Sequence, residues 1–187
     1  MQTEKNEHKS NRFTRTFFEQ DLVLSHRIAQ QLHKRFYDRI DHSFFVSMKV
    51  LRRQHRDTEA QQIETAVQGL CDKMECDLTQ ASERIVATFA KAQMPSPCGH
   101  SDITASYKAE YSTGYSFRLL DLFSRFDRLL MQIEALELHN LGTADECTSL
   151  IRFWHGEFHR FLNALTAVRS RPDPHSSSSK ETPHDKA

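Results

Sequence analysis

The sequence predicts a mainly α protein: a helical domain with one or two short β-strands and a C-terminal antiparallel helix hairpin. Apolar residues recur every three or four positions over most of the chain, the period of one helix face. Helix breakers are scarce: five Gly and five Pro occur in 187 residues, and Pro172, Pro174 and Pro183 crowd the C-terminus. A single run of strict alternation, Ile103 to Tyr111, interrupts the helical period.

The length suits one domain with tails, and 13 Phe supply enough apolar volume for a core. Residues 1–12 are polar and expected to be disordered. Residues 13–171 form the single helical domain. Residues 172–187 are too polar to bury anything and are expected to form a disordered tail.

Within the domain, Phe18, Gln20, Leu22 and Leu24 alternate, so Phe18–Ser25 reads either as a short strand or as the start of a helix. Leu24, Ile28, Leu32, Phe36, Ile40, Phe44, Met48 and Leu51 then form one stripe, with Asp41-His42-Ser43 able to cap a break. Residues 58–93 give a further helix, with Ile63, Val67, Leu70, Met74, Leu78, Ile85 and Phe89 on one side and Asp57 or Thr58 as its cap. Met94-Pro95-Ser96-Pro97 ends it, because proline removes a donor and disfavours the α region before it.

The alternating run places Ile103, Ala105, Tyr107, Ala109 and Tyr111 on one face and Thr104, Ser106, Lys108 and Glu110 on the other. Ser112 or Thr113 caps the next helix, whose stripe runs from Phe117 to Leu138. Asn140-Leu141-Gly142 stops that helix, with Gly142 as the left-handed residue. Thr143 and Glu146 have capping-box spacing and open the last helix. The short break folds the two helices into a hairpin.

A strand needs a partner. A strand followed by two helices is the order of ribbon-helix-helix proteins, in which two subunits pair their strands and lay them in a DNA groove. On that basis the strand mates with its twin in a homodimer. Thr104, Ser106 and Lys108 then offer hydroxyls and an ammonium to base edges. The bland alternative is an edge strand with a solvated polar face.

Net charge is zero, with 25 basic and 25 acidic residues, so bulk charge points to no nucleic-acid or membrane partner. The first third is nevertheless basic: Lys34, Arg35, Arg39, Lys49, Arg52, Arg53 and Arg56 cluster there. They make either a solvated helix face or a surface for phosphates, with Lys49, Arg52, Arg53 and Arg56 as the contacts.

Catalytic signatures are absent from the sequence. No phosphate-cradling glycine loop and no serine elbow occurs, and the carboxylates are scattered. His155 and His159 sit one helical turn apart, and Cys98, His100 and Cys147 could add ligands, but the zinc-protease spacing is missing. Cys71 and Cys76 fall on different helix faces. The four Cys make no disulfide framework, no secretory leader is visible, and no apolar run reaches the roughly 20 residues of a membrane span. The expectation is a cytoplasmic, non-enzymatic protein with no cofactor or metal.

Several pieces also resemble a known family. They are Leu22-Val23-Leu24-Ser25-His26-Arg27-Ile28-Ala29, the acidic helix around Ile63-Glu64, the proline break, the strand ending at Tyr111, Leu122 to Leu129, and His139-Asn140-Leu141-Gly142. Over roughly residues 20–165 the chain resembles the AcaB-like proteins of integrating conjugative elements. That resemblance implies a cytosolic, dimeric ribbon-helix-helix regulator of transcription that binds double-stranded DNA. An accessory protein of the conjugation apparatus, docking another regulator or conjugation protein through its Phe stripes, is the alternative. The resemblance supplies no catalytic residue.

Overall fold

Both alternating segments are strands, and they pair with each other. The computed structural model describes residues 16–95 and 103–168. Strand β1 (Phe18–Leu24) leads into helix α1 (Arg27–Phe45), a π-helical turn (Val46–Val50), the short α2 (Leu51–Arg53) and the long α3 (Asp57–Lys91). Strand β2 (Ala105–Tyr111) leads into α4 (Gly114–Leu138) and α5 (Ala144–Ala167). The expected disordered ends, residues 1–12 and 172–187, lie outside the described residues, as do Cys98 and His100.

β1 and β2 form a two-stranded antiparallel sheet in which Asp21 stands opposite Lys108 at the centre. The strand partner is therefore in the same chain. This corrects the expectation that β2 mates with its twin: the ladder that needed a partner has one in β1.

The chain is built from the same unit twice. Each strand is followed by a serine, Ser25 or Ser112, then by a capping residue, His26 or Thr113, and then by a helix. Leu32 and Leu119, and Phe36 and Phe123, occupy matching buried positions. Each unit is strand–helix–helix, and the second helices reach the opposite unit: α3 packs on α4, and α5 packs on α1 as well as on its own α4. One chain thus supplies both strands of the sheet and both strand–helix–helix units.

Two buried carboxylates tie the units together reciprocally. Asp127 of α4 accepts the backbone N–H of Ser25 at 3.0 Å and of His26 at 2.7 Å. Asp41 of α1 accepts the N–H of Ser112 at 3.0 Å and its hydroxyl at 2.8 Å. Each first helix thus holds the strand–helix junction of the other unit. Asp41 does this from within α1, so it does not cap a break there; the irregularity falls later, at Val46–Val50.

Burial of the helix stripes drives the packing. Phe123, Phe126 and Phe158 are fully buried, with Phe126 stacked on Phe158 at 4.1 Å. Each such ring contributes about 1.5–3 kcal/mol by leaving water. The ends of the expected α4 stripe are exceptions, with Phe117 about half exposed and Leu138 largely exposed, and Phe153 of α5 is about half exposed as well.

Helix ends follow local chemistry, with two corrections. Thr143 and Glu146 form the expected capping box, and Thr113 caps α4 through the Ser116 N–H. At α3 the capping position is Arg56, without a side-chain bond, rather than Asp57 or Thr58. The left-handed residue ending α4 is Asn140, at φ 55°, and not Gly142. Leu141 N–H reaches Leu136 C=O at 2.8 Å and Asn140 N–H reaches Glu137 C=O at 3.0 Å, which makes a Schellman turn two residues earlier than expected. Gly142 answers a spatial need, because a Cβ there would come within 3.2 Å of Cys147 Sγ. The same turn closes α3 around Gln93 at φ 57°.

Two outcomes are expected in urea titrations. Asp127→Ala leaves the Ser25 and His26 N–H groups without their acceptor and should cost about 2–3 kcal/mol; a loss under about 0.5 kcal/mol would remove Asp127 as an anchor. Gln93→Gly removes a left-handed penalty and should stabilise by about 1 kcal/mol.

Candidate nucleic-acid interface and flanking clefts

The ribbon has one face on the helices and one toward solvent. Leu22, Leu24 and Ala109 are buried on the inner face, with Tyr107 and Tyr111 partly so. The outer face carries Glu19, Asp21 and Val23 from β1 and Ser106, Lys108 and Glu110 from β2. Ser106 and Lys108 thus stand where the alternation put them. Thr104 does not join that face: it precedes β2, and its hydroxyl lies 3.1 Å from Ser25 Oγ. The sequence offers Phe18–Ser25 as a second candidate for the ribbon, in which Glu19 and Asp21 would face the groove, and the pairing of β1 with β2 puts both carboxylates on this face. One lysine stands among three carboxylates there.

The other candidate residues gather elsewhere. Lys49, Arg52 and Arg53 line, with Arg118, a cleft of about 570 Å³ beside Thr113 and Tyr115 at the start of α4. Part of this charge is met internally. Arg52 pairs with Glu64 at 2.6 Å, and Arg118 with Asp72 and Glu75, each at 2.6 Å. Arg56 pairs with Glu59 one turn along α3. The structure therefore brings Lys49, Arg52 and Arg53 together and directs Arg56 into a local ion pair. It does not bring this group into one cleft with Ser106 and Lys108, which line a separate one.

That second cleft, of about 710 Å³, runs between β2 and α1. Lys34, Tyr37 and Asp38 line its helix side. Tyr37 donates its hydroxyl to the Glu110 carbonyl at 2.8 Å. His33 lies beneath, buried, with ring centroids 4.9 Å from both Tyr37 and Tyr107 and 5.3 Å from Phe123. Neither His33 ring nitrogen has a hydrogen-bond partner among the described residues, and neither does the Tyr107 hydroxyl. Burial pushes the imidazole down to about 4; Asp38 opposes the shift and Lys34 adds to it. A neutral histidine packed among rings leaves no sequence signal beyond one polar residue on an apolar stripe.

At the opposite junction, His26 accepts the Ile28 N–H through Nδ1 at 3.1 Å. That leaves Nε2 to carry the proton toward Glu134, 3.2 Å away. The His155 and His159 rings are 6.2 Å apart, and no third ligand-type side chain completes a metal cluster with them among the described residues. Cys71 is buried and Cys76 exposed, on different faces as their spacing requires. No helix among the described residues is long and apolar enough to cross a membrane.

No family model matches the chain, and no curated relative is similar to it. Among solved structures, AcaB from uropathogenic E. coli, crystallised in selenomethionine form, is similar in fold. The TM-score is 0.75 at 20% identity, covering 83% of this chain and 80% of that one. At that identity the likeness shows a shared fold, the mainly α body with its short two-stranded sheet.

His33 makes stability depend on pH. Its folded value lies below the unfolded value of 6.5. The neutral ring's contribution is therefore complete above pH 6.5 and is lost as pH falls toward 4. The loss should be on the order of 3 kcal/mol. His33→Leu, the residue at the matching position 120, should flatten that part of the pH–stability curve; an unchanged curve would count against the assignment.

Proposed function

We propose that this protein is a duplex-DNA-binding transcriptional regulator of a mobile element. The observation that carries this reading is the antiparallel ribbon of β1 and β2, raised on two strand–helix–helix units with one face in solvent. A two-stranded ribbon fits the major groove. Ser106 and Lys108 are the base-reading groups, and Lys49, Arg52 and Arg53 take phosphates beyond one end of the ribbon. Arg56, held by Glu59, contributes less, and Thr104 acts through Ser25 at the ribbon's other end. The likeness in fold to AcaB and the resemblance of the sequence to AcaB-like regulators lend further support. Because one chain supplies both strands, a homodimer is not needed to complete the ribbon.

One observation favours a second reading. Glu19, Asp21 and Glu110 put negative charge on the face that would meet phosphates. A protein-docking role in the conjugation apparatus suffers no such repulsion.

Binding to DNA from the chain's own locus, followed by fluorescence anisotropy across a salt series, separates the two. The regulator reading expects sequence preference and steep salt dependence. Lys49→Gln should weaken binding to all sequences and reduce the salt slope by about 0.9. Glu19→Gln with Glu110→Gln should tighten binding. Absence of any preference, together with indifference to the double substitution, would select the docking role.

A further inference from the structure

The cleft between β2 and α1 lies along an unpaired sheet edge. In an antiparallel pair, alternate residues direct both N–H and C=O to one side. Two bonds fix which residues of β2 face α1. Tyr37 reaches the Glu110 carbonyl, and Asp41 takes the Ser112 N–H, both from α1. The even-numbered residues therefore turn away from β1. No third strand pairs with β2 among the described residues. The N–H and C=O of Ser106 and Lys108, and the N–H of Glu110, are left facing the cleft.

The matching edge of β1 differs. There α4 approaches β1 closely, with Ser124 in the position that Tyr37 holds on α1. On the β2 side the rings of His33, Tyr37 and Tyr107 prop the helix away and leave the space of about 710 Å³. A row of alternating donors and acceptors at strand spacing is matched by another extended backbone. The walls add a charge order. α1 and β2 run side by side in the same direction, since Ser25 meets Thr104 at one end and Asp41 meets Ser112 at the other. Lys34 and Lys108 lie toward the first end, and Asp38 and Glu110 toward the second.

The geometry points to a peptide-docking site: an extended segment of a partner protein adds as a third strand to β2 in the cleft over α1. The segment runs antiparallel to β2 and carries a basic side chain two residues before an acidic one. The basic group meets Asp38 and Glu110, and the acidic group meets Lys34 and Lys108. The site shares Ser106 and Lys108 with the DNA reading but uses the backbone edge of β2 and the α1 wall, whereas the DNA reading uses side chains on the outer face and the cleft at α4.

The test uses the full chain and the peptide acetyl-Thr-Val-Lys-Val-Glu-Val-Thr-amide. In the free protein, amide exchange at Ser106, Lys108 and Glu110 should be fast, while Tyr107 and Ala109 are protected by β1. The peptide should slow exchange at those three amides and shift their NMR signals, whereas a copy N-methylated on alternate residues should not. Ser106→Pro removes an edge donor without touching the ladder and should weaken binding at least tenfold with an unchanged thermal midpoint. Lys108→Glu should weaken the peptide and favour one with the two charges exchanged. Three results would each overturn the proposal: protection of the three amides in the free chain, signal changes confined to other surfaces, or equal binding of the N-methylated copy. None of these bears on DNA binding, which the anisotropy series reads separately.

Discussion

The architecture turns on two carboxylates removed from water. Asp127 and Asp41 each accept hydrogen bonds from the first residues after the opposite unit's strand. A buried carboxylate is costly unless its oxygens are met, and here backbone N–H groups meet them. For Asp127, burial still prevails over those bonds and lifts its carboxyl above the usual range. The two bonds fix where each strand ends and where each helix begins. They also fix the direction in which backbone groups of β2 point, and hence which edge stays open.

From that constraint the differences between the two halves acquire meaning. The halves share a plan, but side chains at matching positions decide how tightly each helix lies against the neighbouring strand. Small Ser124 admits close approach; Tyr37, backed by His33 and Tyr107, does not. Charge divides in the same way. The corner after α1 carries Arg52 and Arg53, whereas the corner after α4 carries Asp145 and Glu146. The two halves thus carry opposite charge at matching corners.

Much of the fold was legible because its causes are local. The Phe117–Leu138 stripe, the Thr143–Glu146 box and the inward alternation of Ala105, Tyr107 and Ala109 depend on neighbours within a turn or two. What escaped depends on distant residues. Phe18–Leu24 is too short to declare itself, and its strand character comes from β2, far along the chain. The duplication is hidden because the halves keep the geometry while sharing few residues, Ser25 with Ser112 and Phe36 with Phe123 among them. Asp41 read as a cap because a polar residue beside an apolar stripe usually is one; its acceptor role required sight of Ser112. Of the candidate site, the outward aim of Ser106, Lys108 and Glu110 was readable, but the pairing that sets Glu19 and Asp21 beside them and Arg56's capture by Glu59 depend on contacts between elements.

Asp21 faces Lys108 at the midpoint of the ladder. In a ribbon made by two identical subunits, the residue at that midpoint sits on the symmetry axis and confronts its own copy. Aspartate would meet aspartate, or lysine would meet lysine, and like charges directly opposed are unfavourable. Joining both strands in one polypeptide lifts that restriction. Each half can mutate without imposing the same change on the other, so anything that reads this surface need not be palindromic.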